Sequence, residues 1–340
     1  MEHESRHIYY KIIKTVNPII CSDRMNIQFK KYFQFIIEYN TVFIFLLMLC
    51  ISAMASETFF TSNNFFNLVR QVTPVGIISM GMLLVILTGG IDLSVGSVVA
   101  MVGVLCAFFT HIMPLSIAII ASLTCGILVG SASGYLVAYH KMAPFIATLA
   151  LMSIVRGLGF IFSKGAPIIV NETATALTDF GSGSLIGVPN PAWILFFVFA
   201  IIAVLLRYNA FGRIVIAVGS NEEAVRLSGI KVRIYKFSVY AIAGFLSAVA
   251  GIILTARTSV GAPVTGVGME LDVIAAVVIG GASLMGGRGS AINTLLGVFI
   301  LGMIGNIMNL MTIPAYSQQV IKGLIIILAV LLQRFQNHQK

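Results

Sequence analysis

The chain has 340 residues, of which 58% are hydrophobic and 10% charged. A soluble domain carries roughly a quarter charged residues, so this composition excludes a water-soluble fold and calls for a bilayer to cover the apolar surface. The formal net charge of +9 sits in a few loops, which makes it a topology signal and argues against a nucleic-acid partner.

Residues 1–35 form a basic tail with Arg6, Lys11, Lys14, Arg24, Lys30 and Lys31. No cleavable signal pattern is evident, and the first long apolar run begins near Tyr39, so it is expected to remain as an anchor. A spanning helix needs about 20 mostly apolar residues. Ten runs approach that length, near 36–55, 74–90, 94–112, 115–138, 144–163, 191–206, 235–256, 271–286, 290–311 and 318–333. They predict an all-α polytopic membrane domain over 36–333, followed by a short tail at 334–340.

The basic residues orient this domain. With the N-terminus in the cytoplasm, the tail and the segment 207–234 (Arg207, Arg213, Arg226, Lys231, Arg233) fall inside, joined by Lys141, Lys236, Arg288, Arg334 and Lys340. Arg70, Lys164 and Arg257 alone fall in external loops, while Arg156 and Lys322 lie within spans. The bias places both termini inside and requires an even number of crossings.

The external segments differ in character. Residues 164–190, with Asn171, Glu172 and Asp179, read as a loop or a short interfacial helix. Residues 257–271 form a second loop with Pro263, Gly266 and Gly268. Gly89-Gly90-Ile91-Asp92-Leu93-Ser94-Val95-Gly96 echoes Gly280-Gly281-Ala282-Ser283-Leu284-Met285-Gly286-Gly287, either as an internal repeat or as two glycine-rich turns. Such clusters also permit re-entrant segments, which would change the span count.

The basic cytoplasmic segment carries the most specific pattern. Ser220 or Asn221 can cap a short helix, Glu222 and Glu223 then favour its first turn, Arg226 lies near its end and Gly229 can stop it. Ala224, Val225 and Leu227 supply apolar contact. The result fits a groove on a soluble partner, or alternatively the headgroup surface.

The intramembrane polar residues leave alternatives open. Asp92 and Asp272 can cap the helices that follow them or act directly in transport. Arg156 faces the bundle or snorkels by way of Ser153, and Lys322 snorkels near the outer end. Asn306 and Asn309 share a face and either join helices or meet a passing sugar. Gly126, Gly130 and Gly134 allow close packing, within one subunit or at a dimer seam. Arg70, Lys164 and Arg257 are candidates for docking an acidic face.

No phosphate-binding loop is present, since Gly286-Gly287-Arg288-Gly289-Ser290 has the wrong spacing and no lysine. Cys21, Cys50, Cys106 and Cys125 are scattered without metal-ligand spacing, and His3, His7, His111, His140 and His338 form no cluster. These absences argue against a membrane enzyme, and the acid-poor spans argue against a stand-alone secondary transporter.

The stretch Asn221-Glu222-Glu223-Ala224-Val225-Arg226-Leu227-Ser228-Gly229-Ile230 resembles the coupling-helix region of ABC importer permeases of the ribose or monosaccharide type. Leu87–Ser97 and Glu270–Gly287 resemble further signatures of that branch, in the expected order. The resemblance covers about residue 75 to the C-terminus. It implies a type II importer fold and a permease homodimer in the bacterial inner membrane. It also implies a separate ATP-binding cassette ATPase below and a periplasmic sugar-binding protein above. Asn221, Glu222, Glu223, Ala224, Arg226, Leu227 and Gly229 would then couple to the ATPase, with no resident cofactor or metal. Ribose or another monosaccharide is the implied solute, and branched-chain amino acids or nucleosides are the nearest alternatives.

Overall fold

The computed structural model describes residues 40–337; the expected basic tail at 1–35 lies outside the described residues. The chain folds into a helical bundle. Its helices are α1 (Asn40–Ala55), α2 (Ser62–Leu87), α3 (Val95–Phe109), α4 (Leu115–Ala138), α5 (Pro144–Ser163), α6 (Thr175–Ser182), α7 (Asn190–Tyr208), α8 (Ala210–Ser220), α9 (Glu222–Leu227), α10 (Val232–Thr258), α11 (Met269–Ile279), α12 (Ala291–Leu310) and α13 (Ala315–Asn337). Among the described residues, six helices are long and apolar enough to cross a bilayer: α2, α4, α5, α7, α10 and α12.

Helix α2 starts twelve residues earlier than its apolar run, because Thr61 accepts a capping hydrogen bond from the backbone of Asn64. Its first turns are polar, with Asn63, Asn64, Asn67 and Arg70, so hydropathy hid them. Pro74 lies inside the helix without ending it.

Long α10 is the axis of the packing. Gly126, Gly130 and Gly134 of α4 all face it. A Cβ at Gly126 would meet the Gly244 carbonyl at 2.9 Å, one at Gly130 would meet Gly244 Cα at 2.9 Å, and one at Gly134 would meet the Phe237 carbonyl at 2.7 Å. The small-residue stripe is therefore an internal seam of this chain, with backbones in direct contact.

Two expected spans are shorter than the sequence reading. Helix α3 has 15 residues and α11 has 11, about 22 and 16 Å at 1.5 Å per residue. Neither reaches across a hydrocarbon core of about 30 Å. Helix α3 runs parallel to the second half of α10: Gly251 abuts Val99, and Gly103 abuts Thr255. It therefore begins partway along α10. Helix α11 begins beside it, since Gly266 packs on Gly96 and Val99, and Gly96 touches the Glu270 carboxylate. The two half-length helices meet N-terminus to N-terminus in the interior, and residues 88–94 and 259–268 reach that point as non-helical chain. Irregular backbone is tolerated at depth where protein surrounds it, and Asp92, Leu93 and Ser94 are buried.

At one end of the bundle the two loops read as separate are tied together. Strand β1 (Ile168–Ile169) pairs antiparallel with β4 (Val260–Gly261), and Val170 N–H donates to the Ser259 carbonyl. After β1 come the short helix α6 and a second two-stranded ribbon, β2 (Ser184–Leu185) with β3 (Val188–Pro189). Of the two readings of 164–190, the one with a short helix is what forms.

Candidate functional site

The segment 207–234, expected as a loop, is mostly helical. Arg207 and Tyr208 finish α7, and Asn209 caps α8 by accepting from Phe211 N–H at 2.9 Å. Asn221 ends α8 and caps α9, its side-chain oxygen accepting from Ala224 N–H at 3.0 Å. Of the two expected caps, Asn221 serves, and Ser220 donates back to the Ile216 carbonyl. Gly229 adopts φ +81° and lets the chain leave α9 toward α10. The missed signal for α8 was Asn209 ahead of an apolar-periodic run.

Helix α9 protrudes from the bundle, tethered to it by an ion pair, and none of its residues is buried. Glu223 pairs with Arg226 one turn on, and Glu222 pairs with Lys236 of α10. The Glu223 hydrogen bond raises the Arg226 guanidinium pKa above its ordinary value. Glu222, Glu223, Ala224 and Arg226 are exposed, and Leu227 is 77% exposed. An uncovered leucine beside four charges has the composition of a docking element rather than of a packed turn.

The base of α9 touches the interior through a glycine seam. Gly219, two residues before Asn221, fits against the Leu87 carbonyl and lies so near Gly287 that a Cβ would stand 2.5 Å from its nitrogen. Gly286 packs on Gly89 and on Gly219, and Gly287 N–H donates to the Leu87 carbonyl at 3.0 Å. The two echoing glycine segments thus converge on the end of α8. One turn leads through 88–94 to the start of α3; the other closes α11.

The two acids sit differently from their expected capping roles. Ser94, with no side-chain capping bond, is the N-cap of α3. Asp92, 1% exposed, instead accepts from Ser94 N–H at 2.9 Å and Ser94 Oγ at 2.6 Å, closing the turn before the helix. Gly268 caps α11, and Asp272 lies inside its first turn, where it pairs with Lys322 of α13 at 2.8 Å. Lys322 therefore turns into the bundle instead of snorkelling. Sequence reading missed this pair because its members stand 50 positions apart.

Arg156 also faces inward. Its guanidinium donates to the carbonyls of Pro263 (2.9 Å) and Thr265 (2.7 Å), pinning the segment that dips toward α11. Asn306 exchanges two side-chain hydrogen bonds with Asn64 of α2, at 2.8 and 3.0 Å. Asn309 accepts from Gln318 at 2.8 Å. Arg257 donates to the Arg70 carbonyl at 2.8 Å, so two of the three external cations adjoin, while Lys164 stands exposed at the end of α5.

A largely helical chain with several bilayer-length apolar helices, half-helices meeting in its interior and a protruding charged helix at one end is a polytopic membrane permease by architecture. The family model for the permease component of branched-chain amino acid transport systems matches residues 64–330, and the chain belongs to that family. It is a multi-pass inner-membrane transport subunit. It is 41% identical over 310 residues to the ribose import permease RbsC of Haemophilus influenzae, covering 90% of this chain and 96% of that protein. It is 44% identical over 293 residues to the ribose import permease RbsC of Bacillus subtilis, covering 86% and 90%. It is 37% identical over 310 residues to an L-arabinose ABC transporter permease of Azospirillum brasilense, covering 90% of each. No solved structure matches the chain.

Proposed function

We propose that the chain is the membrane-spanning subunit of an ATP-driven, binding-protein-dependent importer that moves ribose or a related monosaccharide into the cell. The carrying observation is its 41% identity across 96% of a ribose import permease. The protruding helix α9 supports the coupling half of the reading. Asn221, Glu222, Glu223, Ala224, Arg226, Leu227 and Gly229 would dock in a groove of an ATP-binding cassette ATPase. Its nucleotide-driven closure would push on α8 and, through Gly219, on the two glycine turns. Coupling of this kind requires α9 to engage the ATPase differently in its two states.

On this reading both termini and α9 face the cytoplasm, and the chain crosses ten times. Two of those crossings combine a half-helix with a stretch of irregular chain, α3 with 88–94 and α11 with 259–268. Both keep the parity that the basic residues require. The β1–β4 end then faces the periplasmic sugar-binding protein, with Arg70, Lys164 and Arg257 offered to an acidic surface. Two copies of the chain would flank the route, and Asp92, Arg156, Asn306 and Asn309 act as supports of its wall. The family's description favours a second solute class, branched-chain amino acids; the similarity to sugar permeases weighs against it.

The test is copurification and uptake. Replacing Glu222 and Glu223 together by lysine inverts the charge of the first turn of α9 and breaks both ion pairs. The variant is expected to insert normally yet lose its ATPase and its D-ribose uptake. Retained uptake would remove the coupling assignment.

A further inference from the structure

Helices α11 and α13 flank an open cavity of about 350 Å³ beside the inner start of α11. Val267, Gly268 and Leu271 form one wall. Gln318, Gln319 and the Asp272–Lys322 pair form the other. Lys322 lies two turns into α13, about 10 Å below its first residue, and α11 starts beside Gly96, where the two half-helices meet.

A glutamine pair and an ion pair at that depth are costly against lipid and are retained where they face water or protein. Leu271, Val267 and Gln319 are exposed, so the single chain does not close the cavity. The volume falls within the roughly 300–1,000 Å³ of small-molecule sites. Its chemistry suits a neutral polyol: the Gln319 amide offers donors and an acceptor for vicinal hydroxyls, Gln318 adds its amide oxygen while its N–H groups hold Asn309 and the Ile313 carbonyl, and the carboxylate and ammonium neutralise each other. Val267 and Leu271 supply apolar surface for the C–H faces of a sugar ring. Gly268, at φ +80°, opens α11 with no side-chain cap, and the Met269 and Leu271 N–H groups donate to the Gly266 and Gly268 carbonyls, so recognition falls to the side chains.

We propose that this cavity is a stretch of the solute route, taking a small neutral polyhydroxylated molecule between α11 and α13. The assignment rests on the permease reading above and places the route at Asp272, Gln318, Gln319 and Lys322 rather than at Asn306.

The test uses the assembled transporter in membrane vesicles. Gln319→Cys is compared with Ile201→Cys on α7, an exposed apolar position, and with the unaltered chain. The probe is a positively charged methanethiosulfonate, which reacts only with thiols in water. Gln319→Cys is expected to label about tenfold or more faster than Ile201→Cys. Labelling is expected to block D-ribose uptake, and D-ribose delivered by the binding protein, but not L-leucine, is expected to slow the labelling. Leu271→Cys serves if Gln319→Cys abolishes uptake before labelling. Equal labelling at the two positions overturns the proposal, as does labelling that leaves uptake intact. Protection by L-leucine in place of D-ribose overturns the polyol assignment. Labelling in a transporter that moves no D-ribose would instead refute the ribose reading while the water-filled route stands.

Discussion

Gly219→Ala is expected to leave the chain folded and bound to its ATPase while breaking the transmission of force. A Cβ at this position would stand 2.5 Å from Gly287 N, where ordinary contact begins at 3.4 Å, and it would overlap the Leu87 carbonyl. Every close neighbour is backbone or lies at a glycine, so no side-chain rotation relieves the clash. Relieving the overlap with the Leu87 carbonyl requires α8 to separate from the two turns by roughly 1.5 Å. Overpacking of this kind costs about 1–3 kcal/mol, and loss of the Gly287–Leu87 hydrogen bond adds about 1 kcal/mol. A bias of about 2–4 kcal/mol shifts a two-state equilibrium by roughly 30-fold to several hundredfold. The assay is the ratio of ATP hydrolysed to D-ribose transported in proteoliposomes holding the complete transporter. Hydrolysis is expected to persist while transport per ATP falls at least about tenfold. Gly157→Ala, whose Cβ would meet nothing within 4 Å, is the silent control. An unchanged ratio in Gly219→Ala would refute the seam as the path from α9 to the interior.

Asn306→Ala leaves the buried Asn64 amide without its reciprocal partner and is expected to cost about 1–3 kcal/mol, read as a lower melting temperature in detergent. The double replacement Asn64→Ala/Asn306→Ala is expected to recover part of that loss, because no buried amide then remains unpaired. Gly130→Val on α4 drives a branched side chain into Gly244 Cα, 2.9 Å from the Cβ position alone. It is expected to abolish folding or lower the melting temperature strongly, since α4 and α10 have no room to part without opening the seam.

Hydropathy made most of the fold legible, because a lipid-facing helix must be apolar along its length. The boundaries of α4 and α5 agree with the apolar runs to the residue. The places where hydropathy misled are those where protein, not lipid, surrounds the chain. The apolar content of 94–112 and 271–286 reflects burial in the bundle, and burial does not demand full-length helices. Glycine spacing was the better guide there: Gly89, Gly266, Gly268, Gly281, Gly286 and Gly287 all adopt positive φ, and they mark the start of 88–94, the end of 259–268 and the turn that closes α11. Helix α9 was readable because capping is local, written in Asn221, Glu222, Glu223 and Gly229. The pairs Asp272–Lys322, Asn64–Asn306 and Arg156 with the 263–265 carbonyls were not readable. Each joins residues far apart in the chain, and nothing in the local pattern announces the partner.

The most direct measurement places a photoreactive amino acid at Leu227, the most exposed apolar side chain of α9, in living cells. The account predicts a crosslink to a cytoplasmic protein that carries a Gly-x-x-x-x-Gly-Lys-[Ser/Thr] loop, with a yield that changes when nucleotide is trapped. A crosslink to a periplasmic protein, or none to any nucleotide-hydrolysing chain, would contradict it.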